Sequence, residues 1–205
     1  MPKKDSIDME NNTVWEVTPS EDGFAKFDPN FARTLTRCRT CLVYDVKSLN
    51  ELALNYVPRS VVISFIYGTN ITLVSAELFK VLEATITTPS LWEFTKVTVM
   101  DQTLIALRFA YRYQVRGTKS ISYYLCPECG RETYMGFGER YLVGPLGQIP
   151  PIFESWPGRF LAVEHVKSQL ESSISGLEFE RISIRAKPAD DYPPILMNER
   201  RLMDI

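Results

Sequence analysis

The four cysteines of this chain fall in two CxxC motifs, Cys38-Arg39-Thr40-Cys41 and Cys126-Pro127-Glu128-Cys129, whose positions differ by one constant: 126 − 38 = 88 and 129 − 41 = 88. CxxC spacing lets one tight turn present two sulfurs to one ion, and two such turns complete the tetrahedral thiolate shell of a structural zinc site. The separation far exceeds the roughly 15 to 20 residues of a zinc ribbon, so a shared ion would tie distant parts of the chain together. Cys38, Cys41, Cys126 and Cys129 are therefore the expected ligands of one structural Zn2+. Pro127 presets the second turn, and Gly130 after it can take the left-handed conformation. The first motif has Leu42 at that place, with Arg37 and Arg39 positioned to offset the negative charge of a four-thiolate centre.

The same offset recurs downstream. Residues 74–83 lie over 162–171, with Leu78 over Val166, Leu82 over Leu170 and Glu83 over Glu171, and both segments read as amphipathic helices. Trp92 to Val99 then lies over Leu177 to Ile184 at an offset of 85, and all eight positions keep their polarity class. Three matching blocks in one order predict an internal duplication in an α+β protein: two strand-helix-strand lobes, each with a CxxC knuckle, joined by a shared zinc. The competing explanation is that strand-helix-strand grammar recurs in many α+β proteins. The expected division is a polar, partly mobile N-terminal segment over residues 1–30, a first lobe over 31–112, a second over 113–186 and an extended tail over 187–205.

Periodicity and punctuation supply the finer expectations. Val61 to Tyr67 is a continuous β-branched and aromatic run, as in a buried strand, and Gly68-Thr69-Asn70 ends it. A short strand from Ile71 to Val74 leads into the first helix, with Ser75 as N-cap and Glu77 facing the helix dipole. Residues 103–115 and 119–125 read as a hairpin turning at Arg116-Gly117-Thr118. Gly144 to Pro151 reads as a loop, because proline removes ladder donors. Lys187 to Pro194 reads as an extended segment, followed by Ile195-Leu196-Met197 as an apolar plug.

Composition limits the chemistry. A chain of 205 residues, 45% apolar and 12% aromatic, buries enough surface to fold without disulfides. A formal charge of −2 and no basic block longer than Lys3-Lys4 argue against generic nucleic-acid binding. No apolar stretch follows the N-terminal lysines and none reaches membrane-spanning length, so a cytoplasmic, reducing setting is expected, with no membrane partner. Other uses of the cysteines are a redox dithiol, which calls for a βαβ context, and two disulfides, which call for an oxidising compartment. A catalytic zinc keeps an open coordination position, which four thiolates do not leave. His165, the only histidine, falls off its helix's apolar stripe, and there is no GxSxG, GxxxxGK[ST] or GxGxxG sequence. The expectation is no enzyme, no small-molecule substrate and no catalytic residue.

The paired CxxC(G) motifs, with Gly158 to Val163 and Ser175 to Glu180 near the C-terminal end, resemble the double-CxxCG immunity proteins of bacterial polymorphic toxin systems. A related immunity family carries a terminal module of strand, Val-Ser, helix, glycine and strand, which Val74-Ser75, Leu78 and Leu82 fit. The resemblance covers roughly residues 38 to 184. Leu42 stands where that family has glycine, and Glu164 is read in place of the second serine. The resemblance implies a non-catalytic protein that binds a cognate toxin and neutralises it, a role in bacterial competition. The alternative is a zinc-ribbon-type nucleic-acid-binding or regulatory module, with Arg37, Arg39 and Arg131 beside the motifs.

Overall fold

The structure is a computed structural model that describes residues 13–20, 23–59, 61–66, 68–111, 115–130, 132–143, 149–156, 159–185 and 195–196. Residues 144–148 of the loop expected over 144–151, the extended segment at 187–194, Met197 and the first dozen residues lie outside these.

The chain is α+β and mostly sheet. In order it forms β1 (Val14–Pro19), β2 (Phe24–Phe27), α1 (Pro29–Thr34), β3 (Thr36–Arg37), β4 (Tyr44–Asp45), β5 (Leu54–Tyr56), β6 (Ile63–Ile66), β7 (Thr72–Ser75), α2 (Ala76–Thr85), β8 (Trp92–Val99) and β9 (Gln102–Phe109). There follow β10 (Val115–Leu125), β11 (Glu132–Val143), β12 (Ile152–Trp156), β13 (Arg159–Val163), α3 (Glu164–Ser173), β14 (Leu177–Arg185) and β15 (Ile195–Leu196). One sheet has the order β5-β2-β6-β7-β9-β8, a second β12-β13-β1-β14-β11-β10-β15, and β3 and β4 form a small ribbon.

Apolar periodicity explains the layers. In β7 and β9, neighbouring residues Leu73 and Val74, and Ala106 and Leu107, are all fully buried, because this sheet is covered on both faces. Val74, Ile105 and Leu107 join Val17, Phe160 and Ala162 of the other sheet in one core, with Leu78, Phe79 and Leu82 of α2 and Val166 and Leu170 of α3. The two helices pack on each other there, and the Phe109 and Phe160 rings approach to 5.8 Å. Leu73, Leu104 and Ala106 face a second core with Phe27, Leu49 and Ile66, while Val14, Leu142, Phe153, Leu161 and Ile182 make a third.

Helix boundaries follow local chemistry. The Ser75 hydroxyl accepts from Leu78 N at 3.1 Å, as an N-cap should, and Ile86 N donates to Leu82 O at 2.9 Å at the other end. α3 begins and ends 88 positions later, with Val163 at its N-cap and Ile174 N donating to Leu170 O at 2.9 Å. The residue in the place of Ser75 is thus Val163. Glu164, read above as replacing that serine, is instead the first helical residue and accepts from Trp15 Nε1 at 2.6 Å.

Four expectations change. Gly117 lies inside β10, which runs straight through the expected turn; the partner of β10 is β11, and the irregularity there is a register shift between Gly117 and Lys119. The strand before it, β9, pairs with β7 and β8. A glycine with polar neighbours signals a bulge as well as a turn, and composition does not separate the two. Of the strand expected over Val61 to Tyr67, Ile63–Ile66 is strand and Val61 and Val62 are not, while Tyr67 lies outside the described residues. The stretch 1–30, read as a polar N-terminal segment, contains β1, which lies inside the seven-stranded sheet between β13 and β14. Its charge disguised it: Glu16 is buried, and the Arg140 guanidinium grips both its carboxylate oxygens, with Nη2 to Oε1 at 2.8 Å. Ile195–Leu196, expected as a plug, adds a parallel strand beside β10.

Strand order repeats between the sheets. The run β6-β7-β9-β8 in one corresponds to β12-β13-β1-β14 in the other, and in each the third strand is antiparallel to both neighbours.

Candidate metal centre

Each CxxC motif sits at the tip of a hairpin, and each hairpin belongs to a different part of the fold. Cys38 and Cys41 lie between β3 and β4, anchored to the six-stranded sheet by Tyr44 N, which donates to Gly68 O at 2.8 Å, and by the Tyr44 ring against Phe27. Cys126 and Cys129 lie between β10 and β11 of the seven-stranded sheet. Folding brings the two tips together. The four sulfurs all lie within 4.8 Å of one another, with Cys38 to Cys126 at 3.6 Å and Cys41 to Cys129 at 3.4 Å. No disulfide joins them.

The two turns have one backbone design. Leu42 N donates to Cys38 O at 3.0 Å, and Gly130 N donates to Cys126 O at 2.9 Å. Both closing residues are left-handed, Leu42 at φ 58° and Gly130 at φ 68°. Arg37 holds the first turn from outside, donating through Nε to Leu42 O at 2.8 Å with its guanidinium over the Tyr44 ring. Cys41 N points at Cys38 Sγ at 3.5 Å.

Sequence reasoning missed one residue of the site. Glu128 Oε2 accepts from Thr40 N at 3.1 Å, Thr40 Oγ1 at 3.2 Å and the Cys38 thiol at 3.2 Å, so the second turn clasps the first. Thr40 and Glu128 are the third residues of their motifs, 88 positions apart, and the offset that aligned the cysteines also pointed to this pair.

The thiols are not equivalent. Burial pushes Cys126 up, but backbone N–H groups of Cys129 and Glu128 and the thiols of Cys129 and Cys38 outweigh it, lowering its pKa to about 7. Burial raises both Cys38 and Cys41, and the neighbouring thiols of Cys129, Cys38 and Cys126 push Cys41 further in the same direction. The Cys38 thiol is the main cause holding the Glu128 carboxyl below its usual range.

The donor set fits a metal. Zn–S bonds of about 2.3 Å in a tetrahedron put sulfurs about 3.8 Å apart, close to the separations found. Four sulfurs from two rigid turns can hold one soft divalent ion. His165, by contrast, is exposed on α3 and is not part of the cluster. Among the described residues no helix is long and apolar enough to cross a membrane.

A second group of charged side chains was also hidden from sequence reading. Arg140 bridges buried Glu16 and Glu180, the latter at 2.9 Å, and Arg159 Nη1 stands 3.7 Å from Glu16. Burial works against the Arg140 charge, but Glu16 overrides it and raises the Arg140 pKa. These residues come from four strands, so only the sheet register unites them. No family model, curated protein or solved structure gives a significant match to this chain.

Proposed function

We propose that this chain is a non-catalytic protein-binding molecule whose two related lobes are stapled by one structural zinc on Cys38, Cys41, Cys126 and Cys129. The observation that carries the reading is the convergence of four thiol sulfurs within 4.8 Å from two turns of matching backbone shape. Four thiolates around one ion leave no open coordination position, so the metal serves as architecture. Stapling turns that belong to different sheets gives a rigid frame, and a pre-organised surface loses less entropy on binding.

Duplication supports the same reading. The helices start and stop at one offset, the N- and C-cap positions coincide, and the local strand order is shared. Within that frame the resemblance to double-CxxCG immunity proteins suggests the partner: a cognate toxin, bound and neutralised. A formal charge of −2 offers weak long-range steering, so the contact surface would rely on shape and local chemistry.

The test is co-expression with each neighbouring open reading frame. A neighbour that is toxic alone, and harmless when co-purified with this chain, supports the proposal. Absence of rescue by any neighbour, together with DNA or RNA binding that falls steeply with salt, favours the nucleic-acid module instead.

A further inference from the structure

The register of two strands carries the duplication further than the cysteines do. In the seven-stranded sheet Val14 of β1 faces Val163 of β13 on one side and Ile182 of β14 on the other. In the six-stranded sheet Leu104 of β9 faces Ser75 of β7 and Val97 of β8. The partners differ by 163 − 75 = 88 and 182 − 97 = 85, which are the two offsets of the helices and last strands. β1 therefore occupies, in register on both edges, the place of β9 in the other sheet. The preceding hairpins agree as well: Ile63 pairs with Val74 and Ile152 with Ala162.

Chain order completes the pattern. Apart from β2, α1 and β5, which have no counterpart among the described residues of the second half, the chain from β1 to β8 runs strand, CxxC hairpin, hairpin, helix, strand, and from β9 to β14 it runs the same way. We infer that the repeats divide between Val99 and Gln102, and that each donates its first strand to the other's sheet. β1 belongs to the first repeat and completes the second, while β9 belongs to the second and completes the first. Each repeat is thus the binding partner of the other through a reciprocal strand exchange, the arrangement of a strand-swapped dimer of two like units. This inference rests on the duplication reading and moves its boundary from residue 112 to the β8–β9 turn.

Two independent features agree with it. The joint is a two-residue turn, Met100-Asp101, with φ of 50° and 64°, and among the described residues only Leu42 is also a non-glycine at positive φ. A joint that merely connects two units already held together needs no favourable turn chemistry. The four-thiol cluster likewise takes one turn from each repeat, as a site on the axis of a pair would.

The experiment uses the full chain with a protease recognition segment inserted between Met100 and Asp101, cleaved after purification. The exchange predicts that both fragments elute as one 1:1 species at the size of the uncut protein. Halves that separate and remain folded alone overturn it. A complex that stays together but binds no zinc contradicts the metal reading while supporting the exchange. Hydrogen exchange on uninterrupted chains provides the second test. Val17→Ala in β1 should raise amide exchange first in Arg159–Val163 and Leu177–Arg185, and Leu104→Ala in β9 first in Thr72–Ser75 and Trp92–Val99. Loosening that stays within the repeat to which each substituted strand belongs by sequence overturns the inference.

Discussion

Leu42 and Gly130 close the two CxxC turns in the same left-handed conformation, at φ 58° and 68°, each donating its amide to the carbonyl of the first cysteine. The turn needs positive φ whichever residue supplies it. Leucine carries a cost of about 1 kcal/mol that glycine avoids. Leu42 is also exposed, so its side chain contributes little packing in return. Leu42→Gly should stabilise the metal-loaded protein by about 1 kcal/mol in urea unfolding, and Gly130→Ala should destabilise it by a similar amount.

Glu128 joins the turns through Thr40 N and Thr40 Oγ1, two donors that remain when Cys38 is a metal-bound thiolate. Removing the carboxylate with Glu128→Ala leaves Thr40 without its partner and loosens the approach of the cysteine pairs. Zinc affinity, measured by chelator competition, should fall about 10-fold, in the range typical of outer-shell residues. Glu128→Gln keeps an acceptor oxygen and should recover most of that loss.

Glu16 is buried and depends on Arg140. Arg140→Met removes the bidentate partner of buried Glu16, leaving Arg159 at 3.7 Å from it, and should cost about 3 kcal/mol of unfolding free energy. Adding Glu16→Ala, the residue found at the matching position 106 of β9, should return much of that loss, because an apolar pair needs no charge partner. A double variant no more stable than Arg140→Met would contradict this account of the pair.

Met100 and Asp101 form the β8–β9 turn with both residues at positive φ between the paired Val99 and Gln102. Two-residue hairpins of this kind favour Asn-Gly. The double substitution Met100→Asn, Asp101→Gly should raise stability by about 1–2 kcal/mol with an unchanged dependence on urea.

The sequence made the four-cysteine cluster and the helices legible for a physical reason. Cysteine spacing is tied to turn geometry, and Leu78, Leu82, Val166 and Leu170 mark faces that a 3.6-residue period reveals. The offset of 88 held from the thiols through both helix ends. What stayed hidden depended on pairing between distant strands. Val14 to Pro19 looked polar because Glu16 sits among its apolar residues, and the sheet register alone brings Arg140, 124 positions away, and Arg159 beside it. Gly117 looked like a turn because a glycine within β10 has the composition of one. Glu128 carried no signal of its own, because the Thr40 groups that it holds belong to the other turn.

The central claim is one zinc held by four thiolates from two turns, and metal content with single cysteine substitutions tests it most directly. The protein, purified without added metal and without chelator, should carry about one zinc per chain, and Cys38→Ser, Cys41→Ser, Cys126→Ser or Cys129→Ser should each lose it together with several kcal/mol of stability. A chain that folds with no bound zinc, or one whose zinc survives any one of the four substitutions at full affinity, would contradict the account.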